Sequence, residues 1–268
     1  MIDFRADLHT HTYFSDGSLS PKELIDLALC CGLKGLSITD HDSIEAYEEA
    51  LSYAEEKGLL LLSGVEISSI HEKESVHILG YGFSIDSLVM KELCEEQKYR
   101  RKERNLAILE KLKKHRMVIE ERELEGRGSM GRPHIAALMM KKGYVGTLQE
   151  AFNQYLGEGR SCYHEGNFSS VKEVLERLHE AKAKAFLAHP HLFKKRRFVK
   201  NILELPFDGM ECYYARCHPQ EELWCLNMAK ERGLLVSGGS DFHGLMKPHN
   251  CLGSSWVSEQ DFRRIYII

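Results

Sequence analysis

Histidines and carboxylates in this chain recur just after short apolar runs, and those runs alternate with amphipathic helical patterns. Asp7-Leu8-His9-Thr10-His11 stands near the start. It is followed by Thr39-Asp40-His41-Asp42, Gly64-Val65-Glu66-Ile67, Val76-His77-Ile78, Ala188-His189-Pro190 and Ser240-Asp241-Phe242-His243-Gly244. A buried parallel strand reads as an apolar run, and successive parallel strands deliver their C-terminal ends to one face. Ligand-type side chains repeated at that position converge from rigid supports, as a metal site requires. One His-x-His pair would say little, but the repetition restricts the chain to an α/β fold with a polar site at its strand ends.

Two helical patterns occupy the first third. Ser20 is placed to cap a helix with Pro21 at its first position and Leu24, Leu27 and Ala28 on one face, closed by Gly32. Ser43 to Lys57 reads as a second helix, capped by Ser43 and ended by Gly58. Strands are expected at 35–39 and 59–63, and at 76–81 after a polar loop holding His71-Glu72-Lys73. From Met90 to about Gly126 the composition turns to Lys, Arg and Glu, with Leu106, Leu109 and Leu112 along one edge; this predicts a long solvated helix or helix pair. Gly126-Arg127-Gly128-Ser129 breaks it, and another helix starts at Gly131-Arg132-Pro133-His134. Alternation resumes with an amphipathic stretch from Val171 to Ala183, strands at 184–188 and 208–212, a helix from Glu221 to Gly233 and a strand at 234–238. The expected architecture is a βα barrel with a mostly parallel sheet. Residues 1–90 and 167–268 form the barrel, and 91–166 form a small, mainly helical insertion domain that caps the substrate.

The formal net charge of −4 argues against a surface devoted to coating polyanions. It leaves a phosphorylated substrate open, because bound cations and a few arginines set the local field. No apolar stretch is long enough to cross a bilayer, so no membrane partner is expected, and Met1 to Asp7 show no leader pattern. The eight cysteines contain no Cys-x-x-Cys pair, so reduced structural thiols and a cytoplasmic location are expected.

In this order, Asp7-Leu8-His9-Thr10-His11, Asp16-Gly17, Thr39-Asp40-His41, Gly64-Val65-Glu66-Ile67-Ser68, His77-Ile78-Leu79-Gly80, Ala188-His189-Pro190 and Ser240-Asp241-Phe242-His243-Gly244 resemble the motifs of the polymerase-and-histidinol-phosphatase (PHP) family of metal-dependent phosphoesterases. The resemblance implies a distorted (β/α)7 barrel with two or three divalent ions at the strand C-termini. It implies that His9, His11, Glu66 and Asp241 hold one ion and that Glu66 bridges to a second, held with His77 and His189. Asp16, His41 and His243 would hold a third. Mixed nitrogen and oxygen donors suit Mn2+, Fe2+ or Zn2+ better than Ca2+; Mn2+ is the expected occupant, with Mg2+ also open. Closely spaced ions of this kind support attack of a metal-activated hydroxide on phosphorus and neutralise charge on the phosphoryl oxygens.

The insertion narrows the resemblance. Arg101-Lys102-Glu103-Arg104, Gly131-Arg132-Pro133-His134-Ile135-Ala136 and Tyr155-Leu156-Gly157-Glu158-Gly159 are similar to the inserted domain of the nucleoside 3',5'-bisphosphate phosphatases, a subgroup that includes 5'-3' exoribonucleases trimming short RNA. The resemblance implies that Arg101, Arg104, Arg132 and His134 clasp a 5'-phosphate while the metals cleave the 3' phosphoester. Arginine offers a planar fork for phosphate oxygens, and Arg101 and Arg104, three apart, share one helical face. Two segments depart from the subgroup: His191-Leu192-Phe193-Lys194-Lys195-Arg196-Arg197 replaces a Gly-Arg turn, and a residue or two is added around Cys212 to His218. Both are expected to rim the pocket.

Blander readings apply elsewhere. His71, His115, His164, His179 and His249 lack strand-end placement and are expected to be structural. Asp40 and Asp42 read as supports or helix caps for the His41 segment rather than ligands. The Lys194 to Arg197 run reads as a solvated loop ahead of a grip on RNA. Gly238-Gly239 reads as close backbone packing, not as a phosphate loop. Two other functions stay open. A histidinol-phosphate phosphatase is disfavoured by Arg132-Pro133-His134, and a non-catalytic metal-stabilised module is disfavoured by the filled ligand positions. A metal-bound water, His191 and His218 all stand as proton donors to the leaving group.

Overall fold

A computed structural model describes residues 4–124, 126 and 128–266. Met1 to Asp3, read above for a leader, and Arg127 of the expected helix break lie outside the described residues. Along the chain come β1 (Ala6–Asp7), α1 (Pro21–Cys30), β2 (Gly35–Ile38), α2 (Tyr47–Lys57), β3 (Leu60–His71), β4 (Glu74–Tyr81), α3 (Leu88–Lys114), α4 (Arg132–Lys141), α5 (Leu148–Ala151) and α6 (Val171–Glu180). Then follow β5 (Lys184–Leu187), α7 (Arg196–Ile202), β6 (Gly209–Tyr214), α8 (Pro219–Arg232), β7 (Leu235–Gly239) and α9 (Glu259–Ile265). The seven strands pair in chain order. The ring nearly closes where the Leu8 N–H donates to the Gly238 carbonyl at 3.1 Å, giving a distorted seven-stranded barrel surrounded by helices.

Local chemistry explains most of the element ends. Ser20 and Glu23 form a reciprocal capping box ahead of Pro21, as the pattern predicts. The second helix differs: α2 begins at Tyr47, four residues after Ser43, with Ala46 in the cap position. Tyr47 is drawn into the core, where its hydroxyl lies 2.8 Å from the Ile38 carbonyl and accepts the Gly64 N–H at 2.7 Å, tying β2 to β3. That tether sets the helix start more firmly than a serine cap does.

The expected loop at His71 to Lys73 is a two-residue turn, with Glu72 and Lys73 at φ 50° and 68°. It joins β3 and β4 as an antiparallel hairpin from Gly64↔Tyr81 to His71↔Glu74. So short a turn leaves no room for a crossover helix, so β4 runs against both β3 and β5 while the other strand pairs are parallel. Pairing with β4 also carries β3 eight residues beyond the expected end at Ser63.

The charged stretch after Met90 is one 27-residue helix, α3, and it is not solvated all round. Met90, Leu93 and Cys94 join the barrel core, whereas Ile108, Leu109 and Leu112 join a second apolar cluster with Ile135, Met139 and Leu156. Between those stretches Gln97, Arg101, Arg104 and Asn105 are buried as well. Charged residues are seldom buried without a partner or a ligand to answer them. The Lys194 to Arg197 run is not wholly loop either, since Arg196 and Arg197 open α7.

Candidate metal centre

All nine expected ligand residues meet at the C-terminal mouth of the barrel. His9 and His11 follow β1, with Asp16 in the same loop; His41 follows β2, His189 follows β5, and Asp241 and His243 follow β7. Glu66 and His77 correct the strand-end rule, for they lie inside β3 and β4. The register pairs Ser68 with His77. Side chains alternate along a strand, so Glu66, Ser68 and His77 share one face.

Glu66 is the hub. Its Oε1 lies 2.8 Å from His77 Nδ1 and 3.0 Å from His189 Nε2, and its Oε2 lies 3.2 Å from His9 Nε2, His11 Nε2 and His41 Nδ1. Asp241 Oδ1 lies 3.5 Å from His9 Nε2, 3.4 Å from His11 Nε2 and 3.3 Å from His243 Nδ1. Asp16 Oδ1 is 3.2 Å from His243 Nε2, and Asp16 Oδ2 is 3.9 Å from His41 Nε2. His189 and Asp241 hold left-handed backbone, φ 30° and 51°. Such conformations cost about 1–3 kcal/mol each and persist where surrounding contacts over-determine them.

The donors fit divalent cations. His11 Nε2, Asp16 Oδ1, His41 Nδ1 and His243 Nε2 are buried with no hydrogen-bond partner, although a buried polar atom left unsatisfied costs about 1–3 kcal/mol. Ligand atoms within 4.8 Å of one another form three groups: His11, Asp16, His41 and His243; His9, His11 and Asp241; and His41, Glu66 and His77. These cut across the implied sets, because His41 faces both Asp16 and Glu66 and His11 is shared. Burial alone would raise the carboxyl pKa values, but neighbouring charges overcome it. His41, His77 and His9 hold Glu66 well below the usual range; His243 and His41 do so for Asp16, and Lys247 and His243 for Asp241. Burial pushes His41 well down and lowers His77 and His243. Burial opposes charge on His9 and His11 too, yet Glu211 and Glu66 raise His9 well above its usual value, and Asp241 and Glu66 lift His11 to about 9.

The four phosphate-clasp candidates divide. Arg101 is already engaged: Nε and Nη2 donate to Asp42 Oδ2 at 2.9 and 2.6 Å, and Nη2 also donates to Ser68 Oγ at 2.6 Å. Its Nη1 lies where a Cβ on Gly131 would come within 3.0 Å, so the glycine keeps space open beside it. Among the described residues Arg104 donates only to Asn105 Oδ1, at 3.2 Å, and its buried Nε has no partner. Arg132 lies 5.4 Å over the Tyr163 ring and reaches the Leu156 carbonyl at 3.5 Å. Burial, with the charges of Arg101 and Arg132, pushes Arg104 well below its usual pKa, and burial lowers Arg132. A guanidinium does not give up its proton, so both side chains stay charged despite their burial. His134 accepts the Gly131 N–H at Nδ1, 3.0 Å away, and burial lowers its pKa against the opposing charge of Asp16.

Residues 7–188 match the PHP domain. The chain belongs to the PHP family. Over 88% of its length it is 32% identical to the 5'-3' exoribonuclease Rnm of Escherichia coli (strain K12), spanning 84% of that protein. Over 88% it is also 30% identical to the 3',5'-nucleoside bisphosphate phosphatase of Chromobacterium violaceum, spanning 86%. A solved structure described as a metal-dependent phosphoesterase, from Bifidobacterium adolescentis, superposes with a TM-score of 0.86 at 29% identity, over 99% of this chain and 96% of that one. The protein is a metal-dependent phosphoesterase of the PHP family.

Several supports of this PHP site escaped the sequence reading. Glu211, inside β6, lies 2.8 Å from His9 Nδ1 and accepts the His189 N–H at 2.7 Å. A carboxylate in the middle of an apolar strand was the available signal. Asp7 accepts N–H groups from His9, Ser240 and Gly253, joining β1 to the segment after β7, and burial raises its carboxyl to about 6. Lys247 and Tyr214 both donate to Asp241 Oδ2, at 2.7 and 2.6 Å. Asp40 accepts from Thr12 and Ser15, and Asp42 from Ser68 and Arg101, so both act as supports, as expected. Gly239 permits the close packing expected there, since a Cβ would stand 2.3 Å from the His9 nitrogen. Of the side-chain proton donors, His218 caps α8 by accepting the Gln220 N–H, whereas the His191 ring lies 4.5 Å from that of Tyr214, beside Asp241.

Proposed function

We propose that this phosphoesterase removes the 3' phosphate from nucleoside 3',5'-bisphosphates and cleaves the equivalent linkage at the 5' end of short 5'-phosphorylated RNA. The observation that carries this reading is the two-part site: donor atoms awaiting cations beside arginines awaiting an anion. A substrate with two phosphates answers both needs, whereas histidinol phosphate would leave the arginines unanswered. The two relatives named for RNA and for bisphosphate substrates support the same substrate class.

His9, His11, Glu66 and Asp241 would hold one divalent ion, Glu66, His77 and His189 a second, and Asp16, His41 and His243 a third, with Mn2+ the expected occupant. Bound there, such ions supply Lewis acidity that lowers the pKa of water and neutralises phosphoryl charge. The chain's own residues orient the substrate. Arg104, Arg132 and the free nitrogen of Arg101 grip the 5'-phosphate, with His134 beside them, and the 91–166 segment that carries them caps the mouth and excludes water. Glu211 fixes the His9 ring, and Lys247 and Tyr214 fix Asp241. His191, whose ring lies 4.5 Å from that of Tyr214, would protonate the departing 3' oxygen. Phosphorus NMR of adenosine 3',5'-bisphosphate turnover with Mn2+ tests the reading. Inorganic phosphate and adenosine 5'-monophosphate are expected; adenosine 3'-monophosphate as product, or faster turnover of histidinol phosphate, would overturn it.

A further inference from the structure

A cleft of about 750 Å3 opens beside His189 and Arg132 and runs between the β3–β4 turn and the 192–201 segment. That volume falls within the range of about 300–1,000 Å3 typical of ligand sites. Lys73 stands on the hairpin wall and Lys194, Lys195 and Arg197 on the facing wall; all four are exposed and none forms an ion pair among the described residues. Arg196, in the same basic run, is used otherwise: it pairs with Glu221 at 2.6 Å and lies 4.9 Å over Trp224, outside the cleft. Glu72, Glu74 and Glu158 also line the cleft, so with Arg132 the cations outnumber carboxylates five to three. That local excess stands against a formal net charge of −4 for the whole chain. Half-buried Phe193 and Tyr163 add aromatic surface. The walls are joined to each other, because His71 of β3 packs 5.8 Å from Phe198 of α7, which packs 4.9 Å from Phe193.

We propose that this cleft binds the nucleotides of a single-stranded RNA that follow the scissile linkage, with Lys73, Lys194, Lys195 and Arg197 on the downstream phosphates. A groove of cations with interspersed aromatic faces holds single strands without reading sequence. The inference rests on the substrate reading above, which places the first nucleotide between the arginines and the metal centre. A mononucleotide bisphosphate reaches only the Arg132–His189 end of the cleft, short of Lys73, Lys194, Lys195 and Arg197; a longer strand must run on past them.

The test pairs two measurements on the full chain. One is fluorescence-anisotropy binding of a 3'-labelled, 5'-phosphorylated hexa-adenylate across a salt series without added metal. The other is turnover of adenosine 3',5'-bisphosphate with Mn2+. Lys194→Ala, Lys195→Ala and Arg197→Ala together are expected to weaken hexamer binding about tenfold or more. They should also lower the salt slope by about 2, at roughly 0.7 per lost single-strand contact, with bisphosphate turnover changed less than twofold. Lys73→Glu, on the other wall and in an exposed turn, should weaken hexamer binding in the same direction and guards against a local defect in α7. Unchanged hexamer binding in both variants, or parallel losses on hexamer and bisphosphate, would overturn the proposal. Failure of the wild-type protein to turn over the bisphosphate would sink the substrate reading instead, and hexamer binding would still report on the cleft.

Discussion

Two charged clusters adjoin at the barrel mouth and are incomplete in opposite senses. Around Glu66, five imidazoles and two further carboxylates crowd together, and the buried atoms left without partners are ring nitrogens and a carboxylate oxygen. Around Arg104 the unpartnered buried atom is a guanidinium N–H, and the charges of Arg101 and Arg132 are opposed only in part by Asp42. The Asp42–Arg101 pair lies where the clusters meet, satisfied within the protein. Since a buried polar group is costly when unmet, the sign of what is missing fits the ligands proposed above: cations on one side, a phosphate on the other.

The largest way to break this comparison is at Glu66. Glu66→Gln keeps the shape but removes the central charge. It is expected to lower kcat/KM at least about 10^3-fold, at or beyond the loss from a single oxyanion contact, with the circular-dichroism spectrum preserved. Activity within tenfold of wild type would end the hub assignment. The two arginines sharpen the contrast next. Arg101→Met strands Asp42 in the interior and should destabilise the protein by about 3–5 kcal/mol, whereas Arg104→Met removes a buried cation with no acid partner and should leave stability unchanged or higher. Arg104→Met should instead raise KM for the bisphosphate about tenfold to a hundredfold, as expected for a lost charged hydrogen bond. Equal shifts in the two urea midpoints would erase the distinction.

A pH series probes the metal side alone. The folded-state pKa of His11, about 9, lies above its usual 6.5. Protonation therefore favours the folded metal-free protein. That contribution is complete below pH 6.5 and disappears as pH rises through 9; it amounts to roughly 3 kcal/mol. Metal-loaded protein should lack this decline, because ligation requires the deprotonated ring. Thermal melts from pH 6.5 to 9.5 with identical slopes in both forms would contradict it. The smallest expected effect is at Glu211, where Glu211→Gln should weaken metal affinity about 10–100-fold through His9. Isothermal titration with Mn2+ reads it, and unaltered affinity would show that Glu211 merely fills space.

The division between what the sequence foretold and what it hid follows contact distance. His9, His11, His41, His189, Asp241 and His243 were legible because each follows a strand, and strand ends are marked locally by apolar runs. Glu66 and His77 were picked by the same strand-end rule but lie inside β3 and β4, because their position depends on a hairpin turn that the polar residues 71–73 left ambiguous. The start of α2 was misplaced because Tyr47 bonds across to β2 and β3, a long-range tether that no cap pattern shows. Glu211 and the Asp42–Arg101 pair were invisible for the same reason: their partners lie far along the chain. The burial of Arg104 inside a helix that reads as solvated had no local signature.

The most direct test of the central claim is an anomalous-difference map, recorded at the manganese edge from crystals grown with Mn2+. Peaks are expected among Glu66, Asp16, Asp241 and the six histidines, with none in the arginine cluster. A protein that hydrolyses the bisphosphate under those conditions yet shows no anomalous density between these side chains would contradict the account.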